Sequence, residues 1–217
     1  ALMRWQRPDG RTISPMVFIQ AAEEEGLIVS LTKHLFSLIE ENVRAWQVTA
    51  PFHLGVNIAA PHLTDRSFTA DVLRLWVSLD PAFRLVLEIT ERSLVEDTET
   101  ASAKLNELRQ KGCQVAVDDF GTGYCSLSLL QSLPVDYLKI DKIFIDSLTS
   151  AGADTPVLDT IVALSRRLNL TTIAEGVTAA HQVDWLIKNH VAYIQGYYYG
   201  RPMPADEFYM WYKGQIR

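Results

Sequence analysis

Asp118 and Asp119 stand side by side at the end of a short apolar run, Val115-Ala116-Val117, and Phe120-Gly121-Thr122-Gly123-Tyr124 follows them. An unbroken run of small and β-branched residues reads as a strand covered on both faces. The two glycines supply a tight turn or a close backbone approach. Neighbouring carboxylates at a strand end repel each other unless a cation stands between them. Taken alone, the pair reads first as a helix cap beside a solvated acid. Its weight comes from the other polar residues at predicted strand ends: Asn57, Glu88 with Glu91, Lys139 with Asp141, Glu175, and Gln195. Glu88 interrupts Leu85-Val86-Leu87-Glu88-Ile89, and an acid inside an apolar strand needs a partner. Lys139, in Leu138-Lys139-Ile140-Asp141, is a like case, with an ion pair to Asp141 or a nearby Glu as the plain alternative. One lysine cannot neutralise all these acids. Divalent cations can, and an all-oxygen donor set selects hard ions, Mg²⁺ or Mn²⁺ first, with Ca²⁺ as competitor.

The elements that must position these groups alternate between strand and helix. Strands are expected over residues 52–59, 84–91, 114–119, 137–141, 171–177 and 191–197, with residues 1–5 as the tail of a first one. Helices are expected over 15–26, 31–46, 69–78, 96–111, 126–132, 155–169, 179–189 and 204–213. The second carries Leu31, Leu35, Leu38 and Ile39 on one face, and Gly112 ends the fourth. A βα unit thus recurs at ~30-residue spacing. This fits an α/β fold of the TIM-type (β/α) barrel, with an open doubly wound sheet as the alternative. Polar groups at nearly every strand end favour the barrel, in which those ends converge on one face.

Length and charge narrow the function. A chain of 217 residues, 48% hydrophobic, buries a sizeable core. Twenty Lys and Arg against 26 Asp and Glu give a net charge of −6, which argues against a general nucleic-acid binder. An acidic chain can still hold a small phosphodiester through metal ions. Two cysteines, Cys113 and Cys125, are too few for a disulfide framework and read as reduced thiols. No run reaches the ~18 apolar residues of a membrane span. Residues 1–217 are read as one domain, a C-terminal fragment of a longer protein.

At this level of detail the chain resembles the EAL-domain phosphodiesterases that hydrolyse cyclic di-GMP. The resemblance rests on Ala1-Leu2-Met3-Arg4-Trp5, Leu54-Gly55-Val56-Asn57, Leu87-Glu88-Ile89-Thr90-Glu91, Asp118 to Tyr124, Leu138-Lys139-Ile140-Asp141, Ala174-Glu175-Gly176-Val177 and Gln195-Gly196-Tyr197, in order along the chain. It implies a modified (β/α) barrel with one antiparallel strand. It implies opening of one phosphodiester bond, giving linear pGpG. Asn57, Glu88, Asp118 and Glu175 would hold a first metal, and Asp118 with Asp119 would reach a second. Lys139 would position or deprotonate the attacking water, with Glu175 and Gln195 completing the catalytic set. Arg4, Leu2 and Asp141 would meet the substrate. Glu91 would brace the loop Phe120, Gly121, Thr122, Gly123. Mg²⁺ or Mn²⁺ would support turnover and Ca²⁺ inhibit it. The resemblance further implies a homodimer that pairs through residues 126–132 or 155–168. It also implies a cytoplasmic domain, with an upstream sensory domain and a parent protein anchored in the inner membrane.

Departures from the family pattern are informative. The Glu of the family's Glu-Ala-Leu motif would lie one residue before Ala1. A Glu common in the family is replaced by Thr178, which implies weaker ion binding that Thr178→Glu would reverse; the alternative is a cap for the helix starting near Ala179. Cys125 replaces a usual Ser. Two rival functions differ in class. One is a module that binds cyclic di-GMP without cleaving it. The other is a barrel enzyme using Lys139 as a Schiff-base amine, which the surrounding acids oppose because they favour the protonated form.

Overall fold

The structure is a computed structural model that describes residues 1–49, 51–96, 98–121, 127–149 and 155–215. Its elements run β1 (Trp5–Gln6), β2 (Thr12–Ile13), α1 (Pro15–Glu24), α2 (Ile28–Val43), β3 (Phe52–Ile58), α3 (Ala60–Thr64), α4 (Phe68–Ser78) and β4 (Phe83–Thr90). They continue with α5 (Glu91–Glu96), α6 (Thr98–Lys111), β5 (Gln114–Phe120), α7 (Leu127–Ser132), β6 (Tyr137–Ile140) and α8 (Lys142–Ile145). The remainder is α9 (Pro156–Arg167), β7 (Thr171–Ala174), α10 (Ala180–Lys188), β8 (Tyr193–Ile194) and α11 (Ala205–Gln215).

β3 to β8 form one six-stranded sheet in chain order, and β5 to β8 pair in parallel. Sequential parallel strands joined by helices are the winding of a (β/α) barrel. The fold is α/β, a modified barrel of that type. Its antiparallel element is the separate ribbon of β1 and β2, paired Trp5 to Ile13 and Gln6 to Thr12. This corrects the expected first strand over residues 1–5: residues 1–4 carry none, and the strand that does form is closed locally by the turn around Gly10. The last two strands are shorter than their apolar runs. β7 stops at Ala174 and β8 covers two residues, because pairing between them ends at Ala174 and Ile194. Three short helices, α3, α5 and α8, escaped the periodicity reading; one or two turns are too short to show an amphipathic pattern.

The chain divides into two compact units. The first comprises Ala1–Leu87, Asn106–Cys113 and Pro202–Arg217; the second comprises Glu88–Leu105 and Gln114–Arg201. In the first, α2 buries Ile28, Thr32, Phe36, Ile39 and Val43 along one stripe. Trp46, Phe52, Phe208, Tyr209 and Tyr212 form an aromatic cluster there, Trp46 stacking on Tyr209 at 5.1 Å between ring centres. The hydroxyls of Tyr209 and Tyr212 accept from the Gln47 and Thr49 backbone N–H groups at 2.7 and 3.0 Å, tying α11 to the chain after α2. In the second unit Val115, Ala116, Val117, Leu138, Ile140 and Ala174 are fully buried. Leu158, Ile161, Val162 and Ser165 present the helical spacing with which α9 is buried. Among the described residues no helix is long and apolar enough to cross a membrane.

A buried polar group in the first unit makes stability depend on pH. The His62 side chain is fully buried, 3.4 Å from Asp71, which also accepts from Ser67 Oγ at 2.6 Å and meets Lys33 at 3.1 Å. Burial holds the His62 pKa below its usual value, although Asp71 opposes the shift. The folded state therefore binds fewer protons than the unfolded one. The stability this confers is complete above the unfolded value of ~6.5 and is lost as pH falls through it. Thermal melts at about pH 8 and about pH 5.5 should show a larger loss for the native protein than for His62→Leu. Equal losses would remove His62 as the titrating group.

Candidate active site

Residues at the ends of four successive strands, all of them in the second unit, bring the chemistry together. Glu88 lies on β4, Asp118 and Asp119 on β5, Lys139 on β6, and Glu175 directly after β7. Lys139 Nζ stands 2.9 Å from Glu88 Oε2, 3.0 Å from Asp118 Oδ1 and 2.8 Å from Glu175 Oε1. The lysine is 3% exposed. Burial alone would lower its pKa, but Glu88, Asp118 and Glu175 outweigh that effect and raise it above the usual lysine value. The three acids favour the charged amine, which opposes its use as a Schiff-base nucleophile.

The acids carry the opposite strain. Burial pushes Glu175 up to about 7, with Lys139 opposing and Asp118 and Glu88 adding repulsion. Burial also raises the Asp119 pKa, and the neighbouring Asp118 and Asp141 raise it further. Acid thus exceeds ammonium here, and every donor is oxygen, which matches the ligand chemistry of Mg²⁺ or Mn²⁺. As the side chains stand, no three acidic, His or Cys residues among the described ones enclose a single ion. Glu88, Asp118 and Glu175 turn instead to the Lys139 ammonium.

A bulge accounts for the two aspartates. Val117 pairs with Leu138 and Phe120 with Ile140, so Asp118 and Asp119 together oppose the single residue Lys139. One extra residue bends the strand and re-aims side chains, and such bulges recur beside active sites. Asp119 takes a left-handed φ of 55°, an uncommon conformation that Asp tolerates better than most residues. Its backbone N–H donates to Asp118 Oδ1 at 3.0 Å.

The other expected residues fall as follows. Glu91 is buried at the start of α5, and its Oε2 accepts from the Gly121 N–H at 3.1 Å, while Phe120 ends β5 with its side chain buried. Thr122 and Gly123 lie outside the described residues, as does Cys125. Asp141 N-caps α8, its Oδ1 accepting from the Ile143 N–H at 2.7 Å. Gln195 is exposed just past β8, with its backbone N–H donating to Ala174 O at 2.8 Å. Asn57 near the end of β3, and Leu2 and Arg4 before β1, are exposed residues of the first unit. Thr178 precedes α10, and its N–H donates to Gln182 Oε1 at 2.8 Å, the arrangement of a helix entrance. Burial pushes the Cys113 thiol up to about 12, far from a reactive thiolate. Gln182 was missed by the sequence reading. Its position three residues after the N-cap Ala179, where a capping Gln belongs, is the signal that could have found it.

Removing one partner of a buried ion cluster strands the others. Lys139→Met should lower stability by about 3–5 kcal/mol in chelator-treated protein, read from urea unfolding. An unchanged midpoint would mean that the three acids do not depend on this ammonium.

The EAL domain family model matches residues 1–202. The chain is 42% identical over 216 residues to the "Probable cyclic di-GMP phosphodiesterase PdeN" of Escherichia coli (strain K12), covering 98% of this chain and 41% of that protein. It is 36% identical over 219 residues to the "Cyclic di-GMP phosphodiesterase PdeR" of the same organism, covering 100% of this chain and 33% of the relative. It therefore spans less than half the length of these curated relatives. Among solved structures it is similar to the PaMucR phosphodiesterase in its c-di-GMP complex, with a TM-score of 0.85 at 35% identity over 94% of this chain and 84% of that one. With the family model matched over residues 1–202, the chain belongs to the EAL domain family.

Proposed function

We propose that this chain is a metal-dependent phosphodiesterase that hydrolyses cyclic di-GMP to linear pGpG. The observation that carries the reading is the buried Lys139 ammonium held by three carboxylates from neighbouring strand ends, with Asp119 beside them. The names of the relatives and the c-di-GMP complex of the similar solved structure support it. In this reading Glu88, Asp118, Asp119 and Glu175 hold Mg²⁺ or Mn²⁺. When bound, such ions supply a coordinated water of lowered pKa and offset the charge that builds on the attacked phosphate. Lys139 remains protonated, donates hydrogen bonds and fixes the attacking water. Glu175, 2.8 Å from Lys139 Nζ, supplies carboxylate oxygens to the ion and helps to fix the same water. Glu91 holds the Gly121 backbone and so the start of the loop after β5.

The test is chromatographic separation of products after incubation with cyclic di-GMP. Linear pGpG is expected with Mg²⁺ or Mn²⁺, less with Ca²⁺, and none in excess EDTA. Full turnover in EDTA would overturn the metal-dependent reading, and binding without product would leave the non-hydrolysing module. Lys139→Ala should lower kcat about 100-fold or more while changing substrate affinity little; an unaltered kcat would remove it from the mechanism.

The same reading includes a homodimer. Phe120, Pro156, Val157, Thr160, Ile161 and Leu164 line an open groove of about 390 Å³ along α9, next to the end of β5. Val157 is 55% exposed in it, and apolar surface of this kind is favoured at interfaces between subunits. Light scattering should give twice the chain mass for the native protein and the chain mass for Val157→Arg. A native monomer at micromolar concentration would refute the pairing.

A further inference from the structure

Gln182 is buried, at 4% exposure, and both the oxygen and the nitrogen of its amide are engaged. Its Oε1 accepts from the backbone N–H groups of Thr178 at 2.8 Å and Ala179 at 3.1 Å. Those groups lie at the entrance of α10, where helix geometry leaves N–H donors without partners. Ala179, the residue before the helix, has no side-chain oxygen to cap it. The Nε2 of Gln182 donates to Ile145 O at 3.1 Å, the last carbonyl of α8, where the helix leaves acceptors without partners. One amide therefore closes the start of one helix and the end of another, which requires donor and acceptor on the same side chain. The adjacent His181 adds a second tie, its Nε2 lying 2.9 Å from Leu148 O.

The two helices so joined follow the two strands that carry Lys139 and Glu175. α8 is one turn long, begins at Lys142 and is capped by Asp141, whose carboxylate lies beside Asp119. The turn after β7 carries Glu175 and Gly176. Gly176 takes a φ of 67°, and a Cβ there would come within 2.4 Å of Lys142 Cγ. The ends of β6 and β7 are thus closely apposed.

We infer that Gln182 is a positioning residue, an amide clamp that sets the α8 turn and its Asp141 cap against the Glu175 turn and so holds the acid–lysine cluster in register. The inference rests on the phosphodiesterase reading for its effect on rate. A short helix of four residues has little stability of its own, so its placement depends on such ties.

The discriminating variant is Gln182→Glu. It keeps an acceptor for Thr178 and Ala179 but loses the donor to Ile145. Gln182→Leu loses both. If the clamp positions the site, both variants lower kcat for cyclic di-GMP about 10–100-fold with KM little changed. In Gln182→Glu, amide hydrogen exchange measured by mass spectrometry should also speed up over residues 143–148 while the first turn of α10 stays protected. His181→Ala should show a smaller increase over the same residues, and this readout stands even if Gln182→Leu fails to fold. Native kcat and native exchange over 143–148 in Gln182→Glu would overturn the proposal and leave a simple helix cap. A native protein that produces no pGpG would instead mark failure of the phosphodiesterase reading, and the exchange comparison would still decide whether the clamp exists.

Discussion

A buried ammonium must have counter-charge at hydrogen-bond distance, and the second unit is arranged to supply it. Lys139 meets Glu88, Asp118 and Glu175 at 2.8 to 3.0 Å, each from a different strand or strand end. Their attraction exceeds the penalty of removing the lysine from water, which is why its pKa lies above the usual value despite burial. The balance is unequal on the other side. Glu175 and Asp119 are pushed up, because burial and neighbouring acids together outweigh what one ammonium can offset. A site with surplus buried acid is primed to take up further positive charge, either protons or hard cations.

Backbone geometry makes that cluster possible. In a regular strand Asp118 and Asp119 would point to opposite faces. The bulge across from Lys139 breaks the alternation and places two carboxylates where one residue would stand. Its cost includes the left-handed backbone at Asp119. The next residues are held from a distance in sequence: Glu91, buried in α5, binds the Gly121 N–H. Thus the end of β4 supports the turn after β5, in addition to supplying Glu88.

Connections after β6 and β7 repeat this logic of mutual support. Asp141 is both the cap of α8 and a neighbour of Asp119, so one carboxylate joins local helix geometry to the site's electrostatics. Gln182 then joins α8 to the entrance of α10. Asp141, His181 and Gln182 each engage backbone groups of these turns, where loops around a charged centre cannot leave donors or acceptors unpaired.

Much of this was legible in the sequence by itself. The α/β order followed from alternating apolar runs and helical periodicity. Glu88 and Lys139 stood out as charges inside apolar strands, and an acid or lysine so placed must find a partner wherever the chain folds. What sequence could not settle was which partner. Lys139 had Asp141 as its nearest acid in the chain, yet the structure pairs it with acids 51, 21 and 36 positions away, Glu88, Asp118 and Glu175. Strand neighbours come from sheet topology, and topology is invisible to spacing along the chain. The bulge was hidden for the same reason, since it exists only relative to the register of β6. Short elements such as α8, and the dual engagement of Gln182, also belonged to tertiary structure. They are stabilised by contacts between distant segments, whereas the long amphipathic helices and buried strands declare themselves because their own residues carry the pattern that burial requires.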